Sequence, residues 1–403
     1  AEYDPARRND TGVYFTPKPV VDFQVAQIHE WLIANGFDDS FATPGVKVID
    51  PATGSGTYLL AVIERTRRYL SSRGRPGIDD DPIYADRLAE NLYGIEIGVG
   101  AYSIAQLRVA RALADMKGTG DAPTVNVLLS DTLTNPWGEA QQKFFLPELA
   151  GEQEKANALK ASTDVTVVLG NPPYDREEGA AEDNRRQHGG WVRHDHRTNQ
   201  ASGPADKPLL DDFRDRAVGR GNGKAVAKAI PNLYIYFWRL ATWKALDTNP
   251  SGDGVVCFIT TSGYIKGPGF AGMRRYLRER CIEGYIIDCT PEGHQPDVAT
   301  RIFPGVQQPV AIGIFTRKPD TDPTTPARIR YRAVHGRQAD KFDQLKRIDL
   351  DDGDWEDCPD GWTAPFLPAG GDDWDSSPLL GDLMPWQSQG IVAGRTWVYA
   401  PLA

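Results

Sequence analysis

The chain has 403 residues and a formal net charge of −10 at neutral pH, and 40% of its residues are hydrophobic. This length provides one large domain or two ordinary ones with a sizeable core. No apolar run approaches the roughly 20 residues of a membrane span. The polar start AEYDPARRND contains no apolar signal segment, so we expect no membrane association and a cytoplasmic protein.

The number and spacing of the four cysteines argue against a disulfide-stabilised scaffold and against a zinc-binding scaffold. They are scattered along the second half of the chain, at Cys257, Cys281, Cys289 and Cys358. Their number and spacing do not match a disulfide framework, and none forms a C-x-x-C pair near histidines. We therefore predict buried structural cysteines in a reducing compartment and no metal site.

The negative charge is concentrated near the end of the chain. Residues 349–382 include 11 acidic and no basic residues, whereas residues 1–348 carry 44 of each sign. The acidic run is typical of a solvated linker. Basic residues cluster at 185–197 and 266–280, and these clusters are either solvated faces or contacts for phosphates.

Short apolar, β-branched runs alternate with helical patterns along the chain. Strands are predicted over 46–50, 92–97, 125–129, 165–169, 255–260, 285–288 and 310–315. Helices are predicted over 57–70, 101–116, 232–246 and 271–280. This alternation predicts an α/β fold with a doubly wound, mostly parallel sheet.

A helical extension precedes the first strand. Val21, Val25, Ile28 and Leu32 form one apolar stripe at helical spacing. A threonine and a proline stand just before this stripe, and the pattern predicts that Thr16 caps the helix.

Two stretches interrupt the α/β pattern. Residues 175–228 are polar and too long for an ordinary connection. Residues beyond 319 are rich in Pro, Gly and Asp but carry five tryptophans. We predict a first domain over 1–318, followed over 319–403 by an acidic, Trp-rich linker and a partial second domain. Because the chain also lacks an initiator Met, we expect it to be part of a larger protein.

The first predicted strand leads into the turn DPATGSG, residues 50–56. Gly54 and Gly56 allow a tight turn and a close approach of a ligand to the backbone. The carboxyl end of a central strand is where open α/β sheets bind ligands. The turn is not a P-loop, and the carboxylate of Asp50 favours a ligand with an ammonium group over a pyrophosphate.

The second and third strands each end in an acidic residue. Glu96, in GIEI, can accept both hydroxyls of a ribose or can cap a helix. Asp131, in SDTL, can accept a hydrogen bond from an adenine amino group or can act as a turn residue.

The strongest signal is the motif NPPY, residues 171–174, at the end of the fourth strand. Pro172 and Pro173 remove two N–H donors and stiffen the chain. The turn then presents the Asn171 side-chain oxygen and the Pro172 carbonyl as two acceptors for an –NH₂ group. Tyr174 supplies a flat face on which a planar group can stack.

These motifs together resemble the amino-group DNA methyltransferases that use S-adenosylmethionine. The resemblance is carried by GVYFTP at 12–17, DPATGSG at 50–56, GIEI at 94–97, SDTL at 130–133 and VVLGNPPY at 167–174. Their order is that of the γ-class adenine-N6 enzymes. The start YDPARRNDTGVYFTPKPVV and the late RTWVYAP look like the methyltransferase part of Type ISP restriction–modification proteins, and more loosely of Type I and Type IIG enzymes.

The resemblance implies a role for each matching residue. Tyr14, Thr16 and Pro17 would pack beside the methionine part of the cofactor, which Asp50, Ala52, Gly54 and Gly56 would hold. Glu96 would bind its ribose and Asp131 its adenine. The catalytic motif would be Asn171, Pro172, Pro173 and Tyr174. Phe303, in IFP, matches an aromatic residue that stacks on the flipped base, although a core position is equally compatible with its sequence.

The resemblance also implies the reaction and its partners. The expected activity is methyl transfer from S-adenosylmethionine to adenine N6 in double-stranded DNA, with the target base flipped out, within a restriction–modification or phage-defence system. Helicase, nuclease and specificity domains or subunits are expected to be attached. One alternative is a methyltransferase of protein glutamine N5, which uses the same NPPY chemistry. Another is an inactive recognition subunit, which the intact motifs disfavour.

Overall fold

The structure, a computed structural model, describes residues 16–73, 82–118, 123–137, 147–162, 164–174, 189–193, 208–214, 225–226, 229–249, 252–293, 299–303, 306 and 308–370. Cα proximity divides the chain into one unit over Ala1–Leu367 and another over Pro368–Ala403. All the elements named below belong to the first unit.

Nine strands of the described residues form one sheet in the order β3-β2-β1-β4-β5-β7-β6-β8-β9. They are β1 (Lys47–Asp50), β2 (Leu92–Glu96), β3 (Asn126–Leu129), β4 (Val165–Gly170), β5 (Gly254–Thr261), β6 (Glu283–Asp288), β7 (Val310–Arg317), β8 (Arg328–Ala333) and β9 (Glu356–Asp357). Strands β3, β2, β1, β4 and β5 run parallel, and β7 is antiparallel to both β5 and β6. The strand order therefore reverses at β1. The chain continues from β1 to β2 and β3 on one side and then returns to β4 on the other side.

Helices cover the sheet and bury its central strands. They are α1 (Lys18–Ala34), α2 (Thr57–Ser72), α3 (Pro82–Asn91), α4 (Val99–Lys117), α5 (Pro147–Ala161), α6 (Gly190–Arg193), α7 (Asp211–Arg214), α8 (Leu233–Thr242), α9 (Gly263–Lys266), α10 (Ala271–Arg280) and α11 (Gln338–Leu345). Every residue of β4 and β5 is buried, as expected for parallel strands that have helices on both faces. A π-helical turn over Trp243–Asp247 continues α8.

The predicted α/β fold with its mostly parallel sheet is confirmed. Each predicted strand is present within one or two residues of its expected bounds. Six of the helices were not predicted: α3, α5, α6, α7, α9 and α11.

The start of α1 differs from the prediction in its cap. The N-cap position is Pro17, and no side chain caps the helix. The Thr16 side chain is buried instead, and its hydroxyl accepts a hydrogen bond from Asn171 Nδ2 at 2.9 Å. Thr16 therefore connects α1 to the NPPY motif.

The sheet also continues past residue 318, where the sequence suggested that the first domain ends. Strand β8 pairs in parallel with β6, and β9 pairs with β8. The start of the acidic run neutralises β8: Arg332 contacts Asp352 at 2.5 Å and Arg328 contacts Asp357 at 2.8 Å. This part of the run is thus not the solvated linker that the charge pattern suggested. Residues 371–382 lie outside the described residues, and the functional division at 318 stays a prediction.

Among the described residues, no helix combines the length and the apolar character needed to cross a membrane.

Candidate active site

Asp50 ends β1 in a fully buried position. Its Oδ1 accepts a hydrogen bond from the Ala52 N–H at 3.1 Å, whereas Oδ2 is buried without a hydrogen-bond partner among the described residues. Burial raises the pKa of Asp50 to about 7; the Ala52 N–H opposes this shift, and the nearby Glu96 charge adds to it. A buried oxygen without a donor is costly, and a cationic ligand could supply that donor.

The turn after Asp50 depends on two glycines. Gly54 and Gly56 have φ angles of +56° and +84°, in the left-handed region that favours glycine. A Cβ at Gly54 would meet no atom within 4 Å, so the backbone there borders open space. Gly56 is the N-cap of α2. The turn thus combines an accessible backbone with the start of a helix.

Glu96, at the end of β2, connects two loops. Its Oε2 accepts the Gly54 N–H at 2.9 Å, and its Oε1 accepts the Gly98 N–H at 2.7 Å. The carboxylate is only half-buried. Each oxygen has a second lone pair, so Glu96 can shape the loops and still accept hydrogen bonds from a ligand.

Asp131 follows β3 as a turn residue. Its Oδ1 accepts the Leu133 N–H at 2.9 Å, which is the geometry of an Asx turn. The turn interpretation left open by the sequence therefore applies, and its second carboxylate oxygen leaves the adenine role possible.

A buried lysine that sequence analysis missed holds this loop. Lys160 Nζ, on α5, donates to the Asp131 carbonyl at 3.1 Å and to Thr134 Oγ1 at 2.7 Å. Burial lowers the pKa of Lys160 to about 8, although Asp131 opposes the shift. Lys244 in turn donates to the Lys160 carbonyl at 3.1 Å, and burial lowers its pKa to about 7. Nothing in the spacing of these residues along the chain indicated these contacts.

The NPPY turn follows β4, directly beside the end of β1. A Cβ at Gly170 would lie 2.9 Å from Asp50 Oδ1, so the residue before Asn171 abuts the Asp50 carboxylate. The Asn171 amide nitrogen donates to Thr16, and its Oδ1 accepts a hydrogen bond from the Tyr174 hydroxyl. The same hydroxyl lies 3.3 Å from the carbonyl of Ile259 at the end of β5. The amide thus has a fixed nitrogen side and an oxygen side that faces Tyr174.

The structure brings the two predicted stacking residues together. The ring centroids of Tyr174 and Phe303 are 6.3 Å apart at an interplanar angle of 72°. Both rings are buried, with 5% of Tyr174 and 1% of Phe303 exposed. Stacking on a base would therefore require these rings to open, and that role stays a prediction.

Of the remaining predicted site residues, all but Tyr14 lie within the described part of the chain. Pro17 is half-buried at the start of α1, beside Thr16. Ala52 contributes its N–H to Asp50. Pro172 is buried and Pro173 half-buried in the NPPY turn. Tyr14 lies outside the described residues.

Two of the five basic residues at 266–280 are buried, and for these two neither a solvated face nor a phosphate contact applies. Arg274 and Arg278 are buried and donate to the carbonyls of Thr363 at 3.1 Å and Ala364 at 2.9 Å. They hold the segment after β9 and cannot contact phosphates. Of the arginines in 185–197, only Arg193 lies within the described residues.

Comparison with known families is consistent with this geometry. The family model described as N-6 DNA Methylase matches residues 1–202, half of the chain. The chain therefore belongs to the N-6 DNA methylase family. The resemblance drawn from the motifs is confirmed, and membership of this family implies a methyl donor.

Individual proteins extend the comparison. Type II methyltransferase M.BstVI of Geobacillus stearothermophilus is 31% identical over 134 residues, which are 33% of this chain and 20% of that protein. A nuclease-deletion mutant of the Type ISP restriction-modification enzyme LlaGI, solved with a DNA substrate mimic, matches 87% of this chain and 27% of its own, with a TM-score of 0.66 and 20% identity. The DrdV–DNA complex matches 92% and 32%, with a TM-score of 0.63 and 22% identity. The structural matches show a shared fold, and the chain spans about a third or less of each of these proteins.

Proposed function

We propose that this chain transfers a methyl group from S-adenosylmethionine to adenine N6 in DNA, as part of a restriction–modification or phage-defence system. The observation that carries this proposal is the contact between two strand ends. Asn171 follows Gly170, and a Cβ added to this glycine would lie 2.9 Å from Asp50 Oδ1. An amide acceptor for an amine thus stands next to an acidic, glycine-rich turn suited to an ammonium-bearing cofactor.

The residues around β1–β3 fit S-adenosylmethionine. The unpartnered Oδ2 of Asp50 would accept hydrogen bonds from its ammonium group, and the backbone at Gly54 borders open space for it. Glu96 would accept from the ribose hydroxyls, and Asp131 from the adenine amine. When bound, this cofactor supplies a methyl group that is already activated by a sulfonium.

Asn171 and Pro172 would act on the target amine. The lone pair of an aromatic amine is delocalised into its ring, which makes the amine a poor nucleophile. Hydrogen bonds from the amine to Asn171 Oδ1 and to the Pro172 carbonyl would localise that lone pair and orient it. Orientation of this kind can supply about 7–11 kcal/mol of a barrier. Because an amide is not a base, we expect the amine proton to leave to solvent.

A target adenine must first leave the duplex to reach this turn. We infer that Tyr174 and Phe303, whose rings meet edge to face, then open and receive the base. The related Type ISP and DrdV structures are complexes with a DNA substrate mimic and with DNA, which supports DNA as the partner. We also expect attached helicase, nuclease or specificity parts and a cytoplasmic location.

The alternative substrate, a glutamine amide of a protein, is not favoured by the family match, which is to DNA methylases. Methyl-transfer assays of the full-length protein with labelled S-adenosylmethionine separate the two. We expect label in duplex DNA, recovered as N6-methyladenine after digestion of the DNA to nucleosides, and no label in peptide-chain release factors. Label in protein glutamine, or unlabelled DNA under conditions where the cofactor binds, would overturn the proposal.

A further inference from the structure

The loop over 299–303, here called the Phe303 loop, is held by a side chain of the helix α11. Gln338 Nε2 donates to two successive carbonyls of this loop, that of Arg301 at 3.1 Å and that of Ile302 at 2.8 Å. The NH₂ group of a glutamine has two donors, one for each of these carbonyls. The backbone that leads into Phe303 is thus fixed by a residue that is 36 positions from Ile302 in the chain.

A buried ion pair connects the same helix to the Phe303 loop a second time. Lys341 Nζ is fully buried and donates to Glu292 Oε1 at 2.8 Å, to Glu292 Oε2 at 3.0 Å and to the Cys289 carbonyl at 2.7 Å. Glu292 Oε1 also accepts a hydrogen bond from the Thr300 hydroxyl. Because a buried ammonium is stable only with such partners, this contact is a firm one. Helix α11 therefore holds the loop both directly and through Glu292.

Helix α11 also shares a support with the NPPY motif. It packs against α1, and Gln27 of α1 donates to the carbonyl of Ile348, just after α11, at 3.1 Å. The residue before α1 on the other side of Pro17 is Thr16, whose hydroxyl accepts from the NPPY asparagine. The Phe303 loop and the NPPY turn are therefore held against one framework.

A fixed backbone determines how the two aromatic rings can separate. The rings of Tyr174 and Phe303 meet edge to face, with their centroids 6.3 Å apart. Since the carbonyls of Arg301 and Ile302 are held, the Phe303 ring turns about its own side-chain bonds while the loop stays in place. A base that enters between the rings then finds a stacking face that is already ordered. Ordering a contact before binding lowers its entropic cost.

We propose that Gln338 is a positioning residue for the flipped base, which acts through Phe303. It keeps the Phe303 loop at the distance from Tyr174 at which a base can stack between the two rings. This inference rests on the proposed function and on the stacking role proposed for Phe303. It also assigns α11, which lies beyond the expected domain boundary at 318, to the base side of the site.

The test removes the two N–H donors. In the full-length protein, Gln338→Ala should lower the single-turnover rate of DNA methylation at saturating DNA about three- to tenfold, the equivalent of one neutral hydrogen bond. The fluorescence increase of 2-aminopurine at the target position should fall with it. The dissociation constant of S-adenosylmethionine should not change. Gln338→Met keeps the length of the side chain without its donors, and it covers the case in which Gln338→Ala does not fold.

A matched control lies on the same helix. Gln344 Nε2 also donates to two carbonyls, those of His335 at 2.6 Å and Asp340 at 3.1 Å. Gln344→Ala thus removes the same two kinds of hydrogen bond from α11 without touching the bonds to the Phe303 loop. It should keep the wild-type rate and the wild-type 2-aminopurine signal. Equal slowing in Gln338→Ala and Gln344→Ala would show a general loosening of α11 and would overturn the inference.

A rescue variant separates positioning from a merely structural role. Gln338→Lys restores an N–H donor of similar reach and should recover much of the rate and of the 2-aminopurine signal that Gln338→Ala loses. Gln344→Lys adds the same charge to the same helix and should leave both unchanged, which excludes a general attraction to DNA as the cause. Wild-type rates in Gln338→Ala and Gln338→Met, or slow rates with a normal 2-aminopurine signal, would contradict the proposed role.

Failure of the proposed function is a separate outcome. If the wild-type protein methylated no adenine in DNA, the proposed function would be wrong. The hold on the Phe303 loop would then be decided by hydrogen exchange and mass spectrometry of the peptide that contains residues 299–303. Faster exchange in Gln338→Ala than in Gln344→Ala supports the hold, and equal exchange in the two variants contradicts it.

Discussion

The two halves of the candidate site are built from different chemistry. The ends of β1, β2 and β3 carry carboxylates, and each of these carboxylates accepts backbone N–H groups from the loops that follow these strands. The end of β4 carries a neutral amide, whose partners are the hydroxyls of Thr16 and Tyr174. One half is thus acidic and held by backbone N–H groups, while the other is neutral and held by side-chain hydroxyls.

The two halves differ in how many of their hydrogen-bond acceptors are still available to a ligand. The acidic half keeps unused acceptor capacity, most clearly at Asp50 Oδ2, and is prepared for a cationic ligand. In the neutral half, the Asn171 oxygen already accepts from Tyr174, and a target amine would use its second lone pair or replace that hydroxyl. Changes in the acidic half should therefore appear in cofactor affinity, and changes in the neutral half in turnover.

The largest effect is expected for Asn171→Ala. It removes the acceptor that is needed most as the amine becomes tetrahedral, so turnover should fall by about a hundred- to a thousandfold, as when one transition-state hydrogen-bond group is lost. Cofactor affinity, measured by calorimetry, should change little. Asn35→Ala, which removes an amide at the end of α1, is the matched control and should retain activity.

An intermediate effect is expected for Glu96→Ala. Hydrogen bonds to charged groups contribute about 1.5–3 kcal/mol, so the affinity for S-adenosylmethionine should fall roughly ten- to a hundredfold. The loss also frees the Gly54 and Gly98 N–H groups that Glu96 holds. Glu90→Ala, an exposed glutamate on α3, should bind the cofactor normally. Unchanged affinity in folded Glu96→Ala would refute the ribose assignment.

The pH dependence of cofactor binding tests Asp50. Its pKa is raised to about 7, so the carboxyl is protonated below that pH, whereas an ammonium group requires the ionised form. Affinity should thus rise about tenfold per pH unit up to pH 7 and then level off. Asp50→Asn should bind more weakly at pH 7.5 and show no such slope. A slope that survives in Asp50→Asn would assign the titration to another group.

The smallest effect is expected for Tyr174→Phe. It keeps the ring and removes only the hydroxyl that occupies the Asn171 oxygen, so turnover should stay within about threefold of wild type. Tyr174→Ala removes a stacking face worth about 1–3 kcal/mol per base and should be clearly slower. Single-turnover methylation, with 2-aminopurine at the target position to report flipping, measures both variants. If Tyr174→Ala left the rate and the 2-aminopurine signal unchanged, Tyr174 would be a structural aromatic residue.

Much of the fold followed from local sequence. Apolar, β-branched runs predicted the central strands, because parallel strands with helices on both faces are buried throughout. Strand β8 escaped notice because its sequence RIRYRA alternates arginines with apolar residues, and the acids that neutralise those arginines lie elsewhere in the chain.

The site was predicted in part for a similar reason. The positions of Asp50, Glu96, Asp131 and Asn171 followed from their places at strand ends, which meet at one edge of a parallel sheet. Their partners could not be predicted. Thr16 and Asn171 are 155 residues apart, and Lys160 is 29 residues from Asp131, so only the folded chain brings them together.

The most direct test of the central claim is sequencing of host DNA for N6-methyladenine in three strains. One carries the intact gene, one lacks it, and one encodes Asn171→Ala. We predict methylated adenines at a defined sequence with the intact gene only. Identical methylation in all three strains, or its persistence with Asn171→Ala, would contradict adenine methylation by this site.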